Sequence, residues 1–310
     1  MAVAFPKPHL DDLLELRHQA RALGIASHHL VNTTFTGLYA SVFRGQGLNF
    51  EEVREYREGD DIRNMDWKVT ARTGDPHLKV FREERERSVL ICVDVGPHMA
   101  FGTRGTFKSV QAARACALLG WAANSLHDRV GGLLIGDLGD RGHHFRPTKD
   151  RRALWRMLHA LTDPPSSARP SPPALLPEML RQGARGLGSG GLVFVIADFN
   201  RPQTDLRRAL ALLCQHNTVV LVPVDDPAER DLPAMGKVLF RGPEGELLEV
   251  DTDDAAGRRA WREAWQRRRD ALNAIASRVG VTVIPIRTDE DVHHSLMEGL
   301  RRRARFWRGL

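Results

Sequence analysis

Three aspartates stand at points where short apolar segments of this chain end. Asp94, Asp198 and Asp225 each follow a run rich in valine, leucine and isoleucine. Carboxylates gathered at one edge of a sheet could hold a hard cation such as Mg²⁺, which prefers oxygen ligands. Aspartate is equally suited to capping the N-terminus of a following helix. The pattern therefore leaves a metal site and helix capping as alternatives for these three positions.

A second group of charged residues fills segment 51–87, which contains 11 acidic and 9 basic residues. In this segment Asp60, Asp61 and Asp66 stand close in sequence to Arg63 and Arg72. Nearly balanced charge favours an ion-pair network, structural or facing a partner, over a binding patch of one sign. Catalysis by paired carboxylates needs one raised pKa, and nearby arginines oppose this because they keep both groups ionised. We therefore predict no catalytic residue in this segment.

The sequence contains no motif of a familiar enzyme class. It has no HExxH, CxxC, phosphate-loop or GxSxG sequence. Its adjacent histidine pairs, at 28–29, 143–144 and 293–294, point to different sides of their segments. They cannot chelate one metal ion as two histidines four residues apart on a helix do. These observations predict a protein that is not an enzyme.

The composition is basic, with a formal net charge of +6 and a pI of about 9.6, which raises the question of nucleic-acid binding. Six of the 45 basic residues are lysine, which leaves 39 arginines; such a bias often reflects genome composition. The arginine runs 267–269 and 301–303 fall on predicted amphipathic helices, where a solvated face is expected. Nucleic-acid binding through these Arg-rich helices stays a minor alternative.

The cysteines and the apolar segments bear on the compartment. Cys92, Cys116 and Cys214 are far apart and lie in apolar or helical patterns, which is typical of buried thiols in a reducing compartment. No apolar run approaches the roughly 20 residues that a membrane-spanning helix needs, and residues 1–9 lack the pattern of a secretory signal. We therefore expect a cytoplasmic location.

The elements that must position these residues alternate regularly after residue 88. Apolar strands are predicted at 89–95, 130–135, 192–197, 218–224 and 281–286, an edge strand at 142–146, a hairpin at 237–250, and helices between them. This alternation predicts a doubly wound, mostly parallel α/β sheet whose binding crevice lies beyond the carboxyl ends of its strands. Residues 88–310 would form this domain. Residues 1–87 would form a separate region, with a helix at 9–23, a strand at 34–44 and a small β-rich charged segment.

The charged segment also resembles a known family. The stretches Gly45–Phe50, Arg54–Tyr56, Gly59–Arg63, Met65–Trp67 and Ala71–Arg72, with an extended run into Val93–Asp94, resemble the signature of bacterial domain-of-unknown-function family 58. The resemblance covers about residues 37–99 at motif level and the rest of the α/β pattern more loosely. It implies a von Willebrand factor A-like domain with a small β-rich insertion or companion domain. It also implies a MoxR-type AAA+ ATPase, a chaperone-like class, as partner.

The resemblance further implies a degenerate metal site. Von Willebrand factor A domains hold a metal ion with an Asp-x-Ser-x-Ser loop, a threonine and a later aspartate. The resemblance places Asp94, Thr148 and Asp198 at these positions, and it places Gly96 and His98 where the loop has its serines. Two hydroxyl ligands are thus missing. Because Mg²⁺ tolerates poor geometry badly, we expect weak Mg²⁺ binding at most and no other cofactor.

The leading hypothesis from the sequence is a non-catalytic adaptor that binds a protein through the sheet's carboxyl edge and the charged signature. The signature residues expected to form that surface, or to lock the segment to the α/β domain, are Arg54, Tyr56, Gly59, Asp60, Asp61, Arg63, Asp66, Trp67 and Arg72. Among them, Trp67 is expected to be a buried anchor. The alternatives are nucleic-acid binding and a metal-dependent hydrolase, which would use Asp60, Asp61, Asp66, Asp94 or Asp198.

Overall fold

The computed structural model describes residues 7–21, 49–56, 65–82, 87–136, 144–163, 172, 174–185, 187–200, 205–241 and 246–308. The chain divides into two compact units. Phe43–Arg87 forms one, here called the signature unit, and Met1–Val42 with Ser88–Leu310 forms the other, here called the α/β unit. One predicted boundary, at residue 87, coincides with the end of the signature unit, whereas the N-terminal helix belongs to the α/β unit. The strand predicted at 34–44 lies outside the described residues.

The helices and strands follow one another much as the sequence predicts. The helices are α1 (Leu10–Arg21), α2 (Trp67–Thr73), α3 (Lys108–Ser125), α4 (Arg151–Ala160), α5 (Leu175–Arg185), α6 (Leu206–Cys214), α7 (Pro227–Arg230), α8 (Ala255–Val279) and α9 (Val292–Arg308). The strands are β1 (Asn49–Glu55), β2 (His77–Arg82), β3 (Ser88–Asp94), β4 (Arg129–Ile135), β5 (His144–Thr148), β6 (Leu192–Ala197), β7 (Thr218–Asp225), β8 (Lys237–Arg241), β9 (Leu247–Asp251), β10 (Thr282–Val283) and β11 (Ile286–Arg287).

A single large sheet organises the α/β unit. Its described strands lie in the order β5-β4-β3-β6-β7, and β10 and β11 both pair with the outer side of β7. All pairs are parallel except that of β5 with β4. Strands β3 and β6 are apolar and buried almost throughout, as expected for central strands covered on both faces. The predicted doubly wound, mostly parallel α/β fold is confirmed.

The last strand differs from its prediction. The continuous strand predicted at 281–286 is interrupted, with β10 and β11 pairing with β7 on either side of the break. Within the break, the backbone N–H of Ile284 still donates to the carbonyl of Leu221 at 2.8 Å. Pro285 follows, and it has no N–H with which to continue the ladder. The break is therefore a local consequence of one proline.

Helices cover both faces of the sheet. On one face α3 packs against β3 and β4, and α1, α4 and α9 pack against it. The indole N–H of Trp121 donates to the carbonyl of Leu13 at 3.0 Å, which fastens α1 to α3. On the other face, the apolar sides of α5, α6 and α8 enclose a core that includes Leu180, Leu210 and Leu272. No described helix is long and apolar enough to cross a membrane.

The signature unit contains two antiparallel strands and one short helix. Strands β1 and β2 pair in antiparallel register, and α2 connects them. Asp66 caps α2, because its carboxylate accepts the N–H groups of Lys68 and Val69 at 3.1 and 3.2 Å. Gly74 ends the helix in the left-handed conformation, with φ of 84°, which glycine adopts at little cost. The order of cap, short helix and glycine explains why this segment turns back on itself.

Candidate functional site

The parallel sheet brings the three strand-end aspartates to one edge. Asp94 ends β3, Asp198 directly follows β6, and Asp225 ends β7, and these strands are neighbours in the sheet. All three side chains are buried. Buried carboxylates must be paired with positive charge or well hydrogen-bonded. The partners of these groups therefore define the chemistry of the edge.

A lysine supplies the positive charge at the centre of the edge. Lys108 is the first residue of α3, and its side chain has no solvent exposure. The ammonium group lies 3.1 Å from the carboxylate of Asp198 and also bonds to Glu229. Burial alone would lower the pKa of Lys108, but the attraction of Asp198 and Glu229 outweighs it and raises that pKa. Lys108 is thus a fixed internal cation and not a nucleophile.

Glu229 reaches this lysine from the short helix α7. The helix begins with a capping box, in which Asp226 accepts the N–H of Ala228 while Glu229 accepts that of Asp226 at 2.9 Å. The amide of Asn200 donates to the same Glu229 carboxylate at 3.0 Å. Burial raises the pKa of Glu229 to about 7, against the opposing attraction of Lys108. Glu229 therefore keeps its proton to a higher pH than an exposed glutamate does.

The third aspartate has its own partner. The guanidinium of Arg269, on α8, bonds to the carboxylate of Asp225, and Asn200 makes a long contact of 3.4 Å to it. Burial raises the pKa of Asp225, while Arg269 and Lys108 act in the opposite direction. When fully ionised, Lys108 and Arg269 supply two positive charges against the three negative charges of Asp198, Asp225 and Glu229. The excess negative charge favours protonation of one carboxyl group.

A histidine lies against the aspartate at the carboxyl end of β3. The His98 ring nitrogen Nε2 lies 2.8 Å from the Asp94 carboxylate, and the N–H of Gly96 donates to the same carboxylate at 2.9 Å. A Cβ atom on Gly96 would lie 2.5 Å from the His98 ring, so a side chain at residue 96 would require this ring to move. The two departures from the Asp-x-Ser-x-Ser pattern are therefore one feature, because the histidine fills the space that a serine side chain would need.

Thr148 does not belong to this edge. The sequence comparison placed it near the metal-binding threonine, but β5 runs antiparallel to β4 and pairs Thr148 with Val130. Val130 lies at the start of β4, whereas Asp94 pairs with Ile135 at its end. At about 3.3 Å per residue, the two ends are roughly 16 Å apart. The proposed grouping of Thr148 with Asp94 and Asp198 is therefore wrong.

The residues at the edge do not fit a bound metal ion. Among the described residues, no group of three or more histidine, cysteine, aspartate or glutamate side chains is arranged to hold one. Lys108 lies against Asp198, where a cation would otherwise be needed, and His98 lies against Asp94. Gly96 contributes no ligand, and Thr148 lies at the opposite end of the sheet. The edge is neutralised by the protein's own side chains.

The predicted signature residues are only partly covered by the structure. Arg54 lies in β1, Tyr56 directly follows it, Asp66 and Trp67 begin α2, and Arg72 lies in the last turn of α2. Gly59, Asp60, Asp61 and Arg63 lie outside the described residues. Asp66 is buried and is used as the helix cap.

The exposure of Trp67 differs from the prediction. We expected a buried anchor, but 69% of this residue is exposed. The reason is its position as the first residue of α2, where Asp66, and not the indole, makes the local contacts that hold the helix start. Tryptophan is enriched among the residues that dominate binding energy at protein interfaces.

Sequence patterns missed the groups that complete the edge. Lys108, Asn200, Glu229 and Arg269 come from four separate segments, and their hydrogen bonds span as many as 121 residues. Of these four residues, only Lys108 is distinctive in the sequence. It is one of six lysines, and it begins a helix whose other positions are largely apolar. A lysine at the start of an otherwise apolar helix is the sequence feature that could have predicted a buried cation.

Comparison with known proteins now identifies the family. A family model described as "Protein of unknown function DUF58" matches residues 52–271. The chain belongs to the DUF58 family. This DUF58 chain is also 27% identical over 273 residues to the uncharacterized protein Rv1480 of Mycobacterium tuberculosis (strain ATCC 25618 / H37Rv), an alignment that covers 87% of this chain and 84% of that protein.

Similar structures are more distant. BatB from Bacteroides thetaiotaomicron is 14% identical, with a TM-score of 0.43, over 71% of this DUF58 chain and 99% of BatB. The SpRpn10 VWA domain is 15% identical, with a TM-score of 0.36, over 68% of this chain and 94% of that domain. Because both TM-scores are below 0.5, we assign the fold from the strand order of the large sheet and not from these structures.

Proposed function

We propose that this DUF58 chain is a non-catalytic adaptor that binds a protein partner, and that the partner is a MoxR-type AAA+ ATPase. The observation that carries the proposal is the exposure of Trp67, 69% of which is accessible in the middle of the family signature. Tryptophan and arginine dominate binding energy at protein interfaces, and Arg72 is exposed on the same short helix. The class of the partner comes from the family resemblance alone.

The edge cluster supports the non-catalytic part of the proposal. A metal-dependent hydrolase needs carboxylates that are open to a metal ion and a substrate. At this edge Asp94, Asp198 and Asp225 are instead engaged by His98, Lys108 and Arg269 respectively. An adaptor has no need of open carboxylates, and a neutralised edge lets the sheet end be buried against a partner at a lower desolvation cost.

A cytoplasmic location is part of the proposal, because an AAA+ ATPase requires ATP. The three cysteines are free, and Cys92 and Cys116 are buried. Burial raises the pKa of both thiols well above the ordinary value, so they act as small apolar side chains. Free thiols are compatible with a reducing compartment.

The test is equilibrium binding of the purified chain to a MoxR-type ATPase from the same organism, measured by biolayer interferometry with ATP and with ADP. We expect saturable binding that Trp67→Ala weakens by about 2 kcal/mol, roughly thirtyfold. Trp155→Ala is the matched control, because Trp155 is also exposed, at 42%, but lies on α4. Absence of binding with either nucleotide would refute the proposal. Equal effects of the two substitutions would remove Trp67 from the interface.

A further inference from the structure

A groove of about 1680 Å³ lies within the α/β unit, next to the carboxyl end of β7. Its walls come from α7, β8, α8 and α9. The two arginine runs of the sequence meet here, because Arg268 and Arg269 from α8 and Arg302 and Arg303 from α9 all line it. The sequence predicted that the two runs lie on separate solvated helix faces. In the structure they contribute to one concave surface.

Most carboxylates in the groove wall are already engaged within the protein. Four of them pair with a basic side chain: Asp225 with Arg269, Glu229 with Lys108, Asp231 with Arg262, and Glu290 with Arg287. Asp226 accepts hydrogen bonds from Thr103 and Thr288, and Glu298 lies 3.8 Å from His294. By contrast, Arg104, Arg268 and Arg302 line the groove without an ion pair to any carboxylate in the described ranges. The groove therefore offers unpaired guanidinium groups to a ligand.

Two buried donors in the groove lack acceptors. Neither the Arg269 Nη1 group nor the Trp265 indole N–H has a hydrogen-bond partner among the residues that the structure describes. The Arg269 side chain is only 10% exposed, and its guanidinium lies over the Trp265 ring at 5.2 Å. Buried donors are nearly always satisfied in folded proteins, and leaving one unsatisfied is costly. Both groups line the groove, where a bound acceptor would satisfy them.

The remaining wall is apolar. Phe240 packs near Trp261, with ring centroids 6.3 Å apart, and Met235 at the rim is 60% exposed. All three line the groove. A ligand that fits must therefore combine an anionic acceptor with apolar groups. A free inorganic anion would leave the aromatic surface uncovered.

We propose that this groove binds an acidic peptide segment of the protein partner, in which carboxylates stand next to apolar side chains. The inference rests on the proposed adaptor function and names the chemistry of the partner's binding segment. A carboxylate would accept from Arg269 and Trp265, and the neighbouring apolar side chains would cover Trp261 and Met235. Binding of a single-stranded nucleic acid is the alternative outcome that the test below separates from peptide binding.

The test uses three fluorescein-labelled probes and anisotropy titration of the full chain. The probes are an octapeptide alternating glutamate with leucine, its counterpart with glutamine at every glutamate, and a short oligothymidylate. We expect the acidic peptide to bind about ten- to a hundredfold more tightly than the glutamine peptide, as expected for hydrogen bonds to charged groups. Binding should weaken as salt is raised.

Substitutions in the groove test whether the acidic peptide binds there. The pair Arg268→Glu and Arg302→Glu should weaken binding of the acidic peptide at least about tenfold. The control pair Arg207→Glu and Arg208→Glu makes the same charge change at exposed positions of α6 and should change it less than about twofold. Trp265→Phe keeps an aromatic ring beside Arg269 but removes the indole N–H, and we expect weaker binding of the acidic peptide by a variant that still folds.

Three results would overturn the assignment: equal affinity for the glutamate and glutamine peptides, equal effects of the groove and control variants, or tighter binding of the oligothymidylate. These results are distinguishable from failure of the adaptor proposal. If the ATPase binds in a Trp67-dependent way while the acidic peptide does not bind, the adaptor stands and the groove assignment fails. If the peptide binds in the groove while the ATPase does not bind, the groove assignment stands and the partner class is wrong.

Discussion

Replacing Lys108 with methionine tests the internal cation most sharply. Methionine is similar in length but carries no charge, so the substitution leaves Asp198 and Glu229 buried without their ammonium partner. Removal of one partner from a buried ion pair costs about 3–5 kcal/mol. Since domains of this kind have a total stability of about 5–15 kcal/mol, we expect Lys108→Met to fold and to be strongly destabilised at about pH 8.

The loss should depend on pH with a definite sign. In the folded protein, burial raises the pKa of Glu229 from its ordinary value of 4.5 to about 7. A carboxyl group whose pKa is raised by folding favours the folded state when protonated, so its contribution to stability is lost as pH rises from about 4.5 through 7. Lys108 opposes this shift, and its removal raises the pKa of Glu229 further. The loss should therefore be smaller at pH 5 than at pH 8.

The assay is urea unfolding followed by tryptophan fluorescence at both pH values. The matched control is Lys237→Met, because Lys237 also pairs with a glutamate, Glu249 at 3.0 Å, but is 72% exposed. That pair should contribute no more than about 1 kcal/mol. A loss for Lys108→Met no greater than that of the control at pH 8, or a loss that is greater at pH 5, would refute the electrostatic account.

Three further predictions concern the metal site, the signature tryptophan and the thiols. Calorimetric titration with Mg²⁺ should show no stoichiometric binding, because Asp94 and Asp198 are already paired; tight binding at one ion per chain would favour the hydrolase alternative. Trp67→Ala should change the free energy of unfolding by only about 0.5 kcal/mol, as surface substitutions do, and a loss of about 3 kcal/mol in urea unfolding would show that the indole is buried after all. A thiol reagent should label Cys92 and Cys116 only after unfolding, because both are buried with raised pKa values; rapid labelling of the native protein, measured by mass spectrometry, would contradict this.

The sequence predicted those features that depend on local patterns. Runs such as Leu192–Ala197 are apolar at every position, and this is enough to identify buried parallel strands. Parallel strands place their carboxyl ends at one edge, so the common location of Asp94, Asp198 and Asp225 also followed from the sequence.

Other features depend on tertiary contacts and could not be predicted in the same way. The burial of Lys108 follows from packing against Glu229, 121 residues away, and no local pattern distinguishes it from a solvated lysine. Thr148 was misplaced because a motif alignment does not show that β5 runs antiparallel. The burial of Trp67 was inferred from residue type, whereas exposure is set by the helix position it occupies.

The central claim is that the signature binds a protein partner, and hydrogen–deuterium exchange mass spectrometry tests it most directly. The full chain would be measured alone and with a MoxR-type ATPase from the same organism, in the presence of ATP. We predict slower exchange in α2, which begins at Trp67, and unchanged exchange in α6. Unchanged exchange in α2 at saturating ATPase would contradict the claim.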